Sequence, residues 1–391
     1  MKALITVLAI CLLNVTCSCD LVSDYPYYPP EALEDGLQVG TLEDVRIDTQ
    51  LILKAAERIR KGKYREFHSL LIYKDNMLVF EEYFQGHDYQ WDAPRHNGNL
   101  VTWDSHMPHH VHSVSKSITS LCVGIAIEKG FIQDVHQSIF YYLPEYQYLK
   151  TEENQGITIE NLLTGTSGLQ WAEWSAPLSS MKNDQIAIYF HEQGPADFVL
   201  QRPMITEPGT HFIYSGGNID LLGMIIENAS GMSFEEFSEE YLFEPMGLDQ
   251  ATWDLVYPTG EYSAASGLIM TPREMVKVGT MMLNDGVWKS KVIISKNWVE
   301  KCRYPFPVCT HISIPGEDLV DMGYAYAWWT KQIETTGKEI HWYSANGWGG
   351  QQIIVLPELN TVVVFTGGTY THKVKEYEII EDFILPALVY R

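Results

Sequence analysis

A serine and a lysine stand three residues apart in the run His112-Ser113-Val114-Ser115-Lys116-Ser117. On a helix that spacing puts both side chains on one face within hydrogen-bonding reach, so the pair reads as a nucleophile beside its base. A lysine partly desolvated against an apolar helix gives up its proton more readily and can accept the hydroxyl proton of Ser113. The helix N-terminus then offers a backbone N–H to the charge that develops on the attacked carbonyl oxygen. Tyr214 adds a phenol, which near a lysine ammonium can pass a proton to a leaving group and be recharged by that lysine. Alone, neither feature decides anything: an exposed Ser and Lys at a helix start, and a tyrosine in a core, are the commoner meanings of such residues.

Two other chemistries receive less support. His106, His109, His110 and His112 precede the nucleophile, but only Asp104 is an acidic neighbour, and a loop of partly exposed histidines explains them without a metal. No cysteine pair has zinc-ligand spacing, so no metal and no cofactor is expected. A triad in which a histidine activates some other serine finds no Gly-x-Ser-x-Gly segment.

The elements that must position Ser113 and Tyr214 follow from hydrophobic spacing. Val114 to Lys129 has a helical pattern that stops at Gly130, so Ser113 falls at a helix start. A helix is also expected over Leu51 to Gly62. Ser69 to Phe84 holds two β-rich runs split by Lys74-Asp75-Asn76, a hairpin signal. Short helices are expected at Thr158–Leu163 and Asn218–Ser230 inside a long stretch of helix and loop, from about Asp134 to Gly260. Strands return at Glu339–Ser344, Gln352–Leu356 and Thr361–Thr366, and a helix closes the chain at Lys373–Leu388. Strands at both ends with helices between predict one sheet assembled from the two ends of the chain, with a helical lobe inserted.

Set in that order, five segments resemble the serine β-lactamase/penicillin-binding-protein superfamily, most of all its class C-like esterase and amidase branch. They are HSVSKSITSLCVGIAIEKGFI around Ser113, ITIENLLTGTSGLQW from Ile157 to Trp171, PGTHFIYSGGNIDLLG from Pro208 to Gly223, SGLIMTPREMVKVGTMMLNDG, and NGWGGQQIIVLPE. The resemblance implies a β-lactamase/transpeptidase-like α+β fold, an antiparallel sheet flanked by helices. It implies that Ser113 is acylated, that Lys116 deprotonates it and that Tyr214 handles the leaving-group proton. Two departures bear on substrate. Gly216 stands where many penicillin-recognising enzymes have an asparagine that holds a β-lactam or peptide carbonyl, and Asn218 is too far along to replace it simply. The Lys-Thr-Gly strand has no lysine: an ungapped match puts His341, Trp342 and Tyr343 there, and a small gap puts Ser344, Ala345, Asn346, Gly347 and Trp348 there. An amide within Ser344–Trp348 is expected to complete the oxyanion hole, with His341 as a further substrate contact. Trp171, Trp174, Trp328, Trp329 and Trp348 lie in segments that border the family's cleft and can line an apolar pocket or serve as core.

Losing both grips favours an ester, simple amide or short peptide as substrate. A true β-lactamase or D-Ala-D-Ala carboxypeptidase is the alternative enzyme, and a catalytically silent sensor or binding protein is the alternative of another class. Charge agrees with a small-molecule partner: 50 acidic against 27 basic residues give −23, which excludes a nucleic-acid surface. At 391 residues and 46% hydrophobic, the chain can bury a large core. Lys2, the apolar run Ala3–Val15 and the lack of acids before Asp20 read as an export signal over 1–19, too short to span a bilayer, which takes about 20 residues. Cys17 and Cys19 stand where a lipoprotein is cleaved and acylated, without the Leu-small-small pattern that normally precedes that cysteine. A periplasmic, membrane-anchored or secreted protein follows. Residues 20–40 are expected as an extended tether and 41–391 as the hydrolase domain, with the helical lobe at about 136–260. Cys302 and Cys309 are close enough in sequence to close a small disulfide loop, leaving Cys122 as a buried apolar residue.

Overall fold

The structure, a computed structural model, describes residues 23–335 and 338–389; the export signal, Cys17 and Cys19 lie outside the described residues. Seven strands form the main sheet: β1 (Phe67–Lys74), β2 (Met77–Tyr83), β3 (Gly323–Tyr324), β4 (Trp329–Thr335), β5 (Lys338–Gly347), β6 (Gln351–Leu356) and β7 (Thr361–Gly367). Their spatial order is β3-β4-β5-β6-β7-β1-β2, every neighbour antiparallel. The join between the two chain ends is β1 on β7, with Leu70 opposite Phe365 and Ile72 opposite Val363. The β1–β2 turn uses Asp75 (φ 48°) and Asn76 (φ 67°), both left-handed, which matches the right-handed twist of the flanking strands.

Four longer helices matter for the site. They are α1 (Thr49–Arg60), α2 (Val114–Glu128), α3 (Gly216–Ser230) and α4 (Pro272–Leu283). Helix α1 begins at Asp48, whose carboxylate accepts from the Gln50 and Leu51 amides, and it buries Ile52, Ala55, Ala56 and Ile59. Helix α4 lies flat on the sheet because Gly279 has no side chain: a Cβ there would come within 2.4 Å of Val362. Helix α2 is apolar all round, as a helix enclosed by protein must be, and even its polar residues Ser115, Lys116, Ser117 and Thr119 are buried. It runs between the sheet and the lobe that carries α3.

Residues 23–40 are extended, but packed on the domain. Leu78 of the edge strand β2 donates its N–H to Gln38 and accepts from Gly40, at 2.7 and 3.0 Å, while Tyr27 donates to the Val79 carbonyl. The segment thus covers part of an edge that would otherwise present open hydrogen-bonding groups. Cys302 and Cys309 are free: each is buried, with its sulfur toward a different carbonyl, Tyr326 for one and Thr164 for the other. The small disulfide loop expected from their spacing does not form.

Candidate active site

Ser113 is the N-cap of α2, and the backbone reaches it through a strained step. His112, not a glycine, has φ 48°, a conformation that costs on the order of 1–3 kcal/mol and persists only where its surroundings hold it. They do: Val111 donates to the Leu268 carbonyl at 3.0 Å, and the Val111 carbonyl accepts from Val114 at 3.1 Å. One turn into the helix, Lys116 Nζ lies 2.9 Å from Ser113 Oγ and 3.2 Å from the Ala265 carbonyl, with its side chain 2% exposed. Ala265 is fixed from behind, since its N–H donates to Asp220 on α3 at 3.2 Å. Burial pushes the Asp220 carboxyl up to about 7, and it also accepts from the Tyr257 hydroxyl.

Tyr214 is partly buried beside the same pair. Its hydroxyl lies beside Ser113, and Lys116 Nζ sits 5.0 Å from its ring centre. Burial first, and the Glu173 carboxylate second, hold the phenol well above the usual tyrosine range. It therefore stays protonated and acts as a donor. Trp174 stacks on the ring at 4.6 Å and Trp329 at 5.7 Å, which keeps bulk water from that side.

Glu173 is the residue that sequence reasoning missed. Its Oε1 faces Lys116 Nζ at 3.6 Å, while Oε2 accepts from the Gly216 N–H at 2.8 Å and from Trp171 Nε1 at 2.9 Å. One carboxylate thus ties the lysine to the first turn of α3. The signal was present in Trp171-Ala172-Glu173-Trp174, an acid set between two tryptophans at the end of the family-like segment from Ile157. Asn218 does not take over the missing asparagine's place: its Oδ1 accepts from Ser167 at 2.9 Å, inside the lobe.

The end of β5 comes up against the nucleophile's approach. Pairing with β4 stops at Ser344 opposite Trp329, whereas pairing with β6 continues to Gly347. Ala345, Asn346 and Gly347 therefore have one edge without a strand partner. A Cβ on Gly347 would lie 2.1 Å from the Val111 carbonyl, so the strand end touches the segment that leads into Ser113. Asn346 Nδ2 is 3.4 Å from Glu317, whose carboxyl burial pushes up to about 8. Trp348 stands edge-on to His112 at 5.4 Å and donates to the Tyr370 carbonyl.

His341 is elsewhere. Its ring nitrogens lie 3.2 Å from Glu339 and 3.3 Å from Glu358. It sits six positions before Gly347 on one strand, roughly 20 Å at the rise of a β-strand. The ungapped match therefore puts it at the other end of β5 from Gly347, the residue that meets Val111. Trp328 is likewise core, fully buried against Tyr343. The histidines before Ser113 pack as rings rather than converging: His109 stacks on Trp103 at 4.0 Å, and His112 meets Tyr89 edge-on at 4.7 Å. Among the described residues no three His, Cys, Asp or Glu side chains are arranged to hold a metal ion.

The family model described as Beta-lactamase matches residues 61–380. The chain belongs to the beta-lactamase family. Within the family it is similar to the 6-aminohexanoate-dimer hydrolase of Paenarthrobacter ureafaciens, 28% identical over 266 residues that cover 66% of this chain and 65% of that enzyme. It is 31% identical to Penicillin-binding protein 4* of Bacillus subtilis over 144 residues, 35% of this chain and 29% of that protein. The chain thus spans just under two thirds of the first relative's length and less of the second's. Among solved structures, the octameric penicillin-binding protein homologue from Pyrococcus abyssi superposes with a TM-score of 0.61 over 87% of this chain and 77% of that one, at 19% identity. That likeness establishes the β-lactamase/transpeptidase-like fold for this family member.

Proposed function

We propose that this protein is an exported serine hydrolase that cleaves an ester or a simple amide through an acyl-enzyme on Ser113. The observation that carries the reading is the convergence of two proton-handling groups on one oxygen: Lys116 Nζ at 2.9 Å from Ser113 Oγ, and the protonated Tyr214 hydroxyl on the same serine. Lys116 takes the Ser113 proton as Oγ adds to the substrate carbonyl. The Ser113 amide, at the start of α2, and an amide at the β5 end, Gly347 by its position, receive the negative charge on the carbonyl oxygen. As the tetrahedral adduct collapses, the leaving oxygen or nitrogen takes a proton from Tyr214, and the Lys116 ammonium returns one to the phenolate. Water then enters, loses a proton to Lys116 and adds to the acyl carbonyl, and as the acid departs Lys116 returns that proton to Ser113 Oγ.

The substrate reading rests on what the site lacks, with no side chain at Gly216 and no lysine at the β5 end. A fluorophosphonate probe labels Ser113 in this reading, and Lys116→Ala slows labelling by about a hundredfold or more. Wild-type protein that takes no label is a silent binding protein, and equal labelling of the Lys116→Ala variant removes the base. A turnover panel of p-nitrophenyl esters, short amides, nitrocefin and D-amino-acid peptides ranks substrates; fast nitrocefin with inert esters makes it a β-lactamase instead. Export, with or without an acyl chain on Cys17 or Cys19, is checked by fractionation and by mass spectrometry of the mature N-terminus. A cytoplasmic, unprocessed chain overturns it.

A further inference from the structure

The place left empty by the missing asparagine is filled from another element. Gly216 follows Tyr214 by two residues, and a Cβ built on it would lie 1.8 Å from Gln185 Oε1 and 3.3 Å from Glu173 Oε2. No side chain at 216 can coexist with Gln185 as it stands. Gln185 belongs to the short helix Asp184–Ala187, which is fastened to the loop carrying Glu173. Asn183 donates to the Glu173 and Ala176 carbonyls at 2.9 and 2.7 Å, and Asp184 accepts from the Ala172 amide at 2.7 Å. The backbone under Gln185 is therefore held as firmly as that under Glu173.

Its carboxamide is not satisfied. Gln185 is 8% exposed, and neither Oε1 nor Nε2 has a hydrogen-bond partner among the described residues. A buried amide with both ends unpaired is rare in folded proteins, and each such group calls for a partner. It lies next to Glu173, and through Glu173 next to Lys116. A carboxamide has N–H to donate and a carbonyl to accept, and the group that answers both at once is a secondary amide, which has a carbonyl and an N–H of its own.

We propose that Gln185 is a specificity-determining residue that binds a second amide in the acyl part of the substrate, a short oligoamide or N-acylated amino acid being the class it takes. The inference rests on Ser113 acylation as proposed above. It supplies from the lobe the grip that Gly216 cannot, and it moves the preferred substrate from a plain ester toward a molecule with two amide-like carbonyls.

Two esters with the same leaving group separate the question from the chemistry. p-Nitrophenyl N-acetylglycinate has the second amide, and p-nitrophenyl pentanoate has methylenes in its place. The wild-type protein is expected to prefer the first in kcat/KM by about tenfold, the value of one or two well-placed hydrogen bonds. Gln185→Leu loses that preference while its pentanoate kcat/KM stays within about twofold. Gln185→Ala combined with Gly216→Asn regains the preference by returning the amide to its other position. Gln185→Met replaces the leucine variant if that does not fold, as judged by thermal melting. Fluorophosphonate labelling of Ser113 in each variant keeps the two readings apart. Labelled Gln185→Leu that retains the preference, or that slows on both esters alike, overturns the role of Gln185 and leaves the acyl-enzyme standing. A wild type without preference, or a double variant that does not regain one, overturns that role equally.

Discussion

Replacing Gly347 with alanine tests whether the end of β5 forms one side of the oxyanion site. The added Cβ would lie 2.1 Å from the Val111 carbonyl oxygen, and an ordinary carbon–oxygen contact is about 3.3 Å. Strand and carbonyl must therefore part by about 1 Å. Val111 cannot yield alone, because its N–H is tied to Leu268 and its carbonyl to Val114, the first residue of α2. Either the strand end withdraws or the nucleophile's turn shifts, and both widen the space between Ser113 and the β5 amides. A displacement of that size costs about a hundredfold in rate where groups must meet a developing charge, in line with removing one oxyanion donor. The overpacking itself costs about 1–3 kcal/mol of stability. Gly347 does not have a left-handed φ, so the alanine adds bulk without backbone strain. The measurements are the rate of fluorophosphonate acylation, kcat/KM on an acetate ester, and the melting temperature, with Gly156→Ala as control, since a Cβ there meets nothing within 4 Å. Acylation within twofold of wild type in a folded Gly347→Ala protein would mean that the strand end takes no part in the chemistry.

Glu173→Gln keeps an oxygen for the Gly216 and Trp171 donors but sets an uncharged amide against Lys116. Replacing a charged acceptor inside a buried cluster costs about 1–3 kcal/mol, so the melting temperature is expected to fall and kcat to drop about tenfold with little change in KM. A variant that matches wild type in both has lost only a surface-like contact. His112→Asn probes pH. Burial pushes the His112 imidazole down to about 3, while in the unfolded chain it titrates near 6.5. The folded state thus resists a proton that the unfolded state takes, so its stability is present above about pH 6.5 and is lost as the pH falls. At pH 5 that amounts to about 2 kcal/mol. Asparagine tolerates the left-handed backbone and does not titrate, so the variant gains on wild type by that amount between pH 7.5 and pH 5 in denaturant titrations. A difference that does not change with pH refutes the assignment.

The rigid parts of this site were legible before the structure because each obeys a local rule. Ser113 before an apolar helical run, the hairpin turn at Lys74-Asp75-Asn76 between two β-rich runs, and the short helix that starts after Thr158 are settled within a few residues of chain. Strand β4 was not foreseen: Trp329–Thr335 reads Trp-Thr-Lys-Gln-Ile-Glu-Thr, with five of its seven residues polar, because it pairs near the sheet's edge where one face meets water. The position of His341 failed for a different reason. Strand β5 is long enough that a small gap in the match moves a residue from one end of the strand to the other, and periodicity along a strand says nothing about which end meets α2. Gln185 had no local signal whatever. Its importance comes from a glycine 31 positions later, and only packing brings the two together.

The charge around the strand end adds a constraint on what can bind. In the lysine-bearing members of the superfamily, a cation on this strand meets a substrate carboxylate. Here Ser344 and Asn346 are buried at the corresponding edge, and the group facing Asn346 is the carboxyl of Glu317. Burial, together with the neighbouring Asp318, holds that carboxyl up to about 8, so near neutral pH it is largely protonated and turns anionic as the pH rises. A carboxylate brought there meets a like charge once Glu317 has ionised, whereas a neutral amide, an ester or an ammonium end does not. The same conclusion follows from the other end of the site, where Lys116 is already partnered by Glu173. With the cation gone from the strand and the asparagine from α3, the role proposed for Gln185 passes recognition to the segment from Trp171 to Gln185. Ser113 itself is set by α2 and the turn at His112, whereas Glu173 within that segment ties Lys116 to α3, so only the part of the segment beyond Glu173 can change without touching the base.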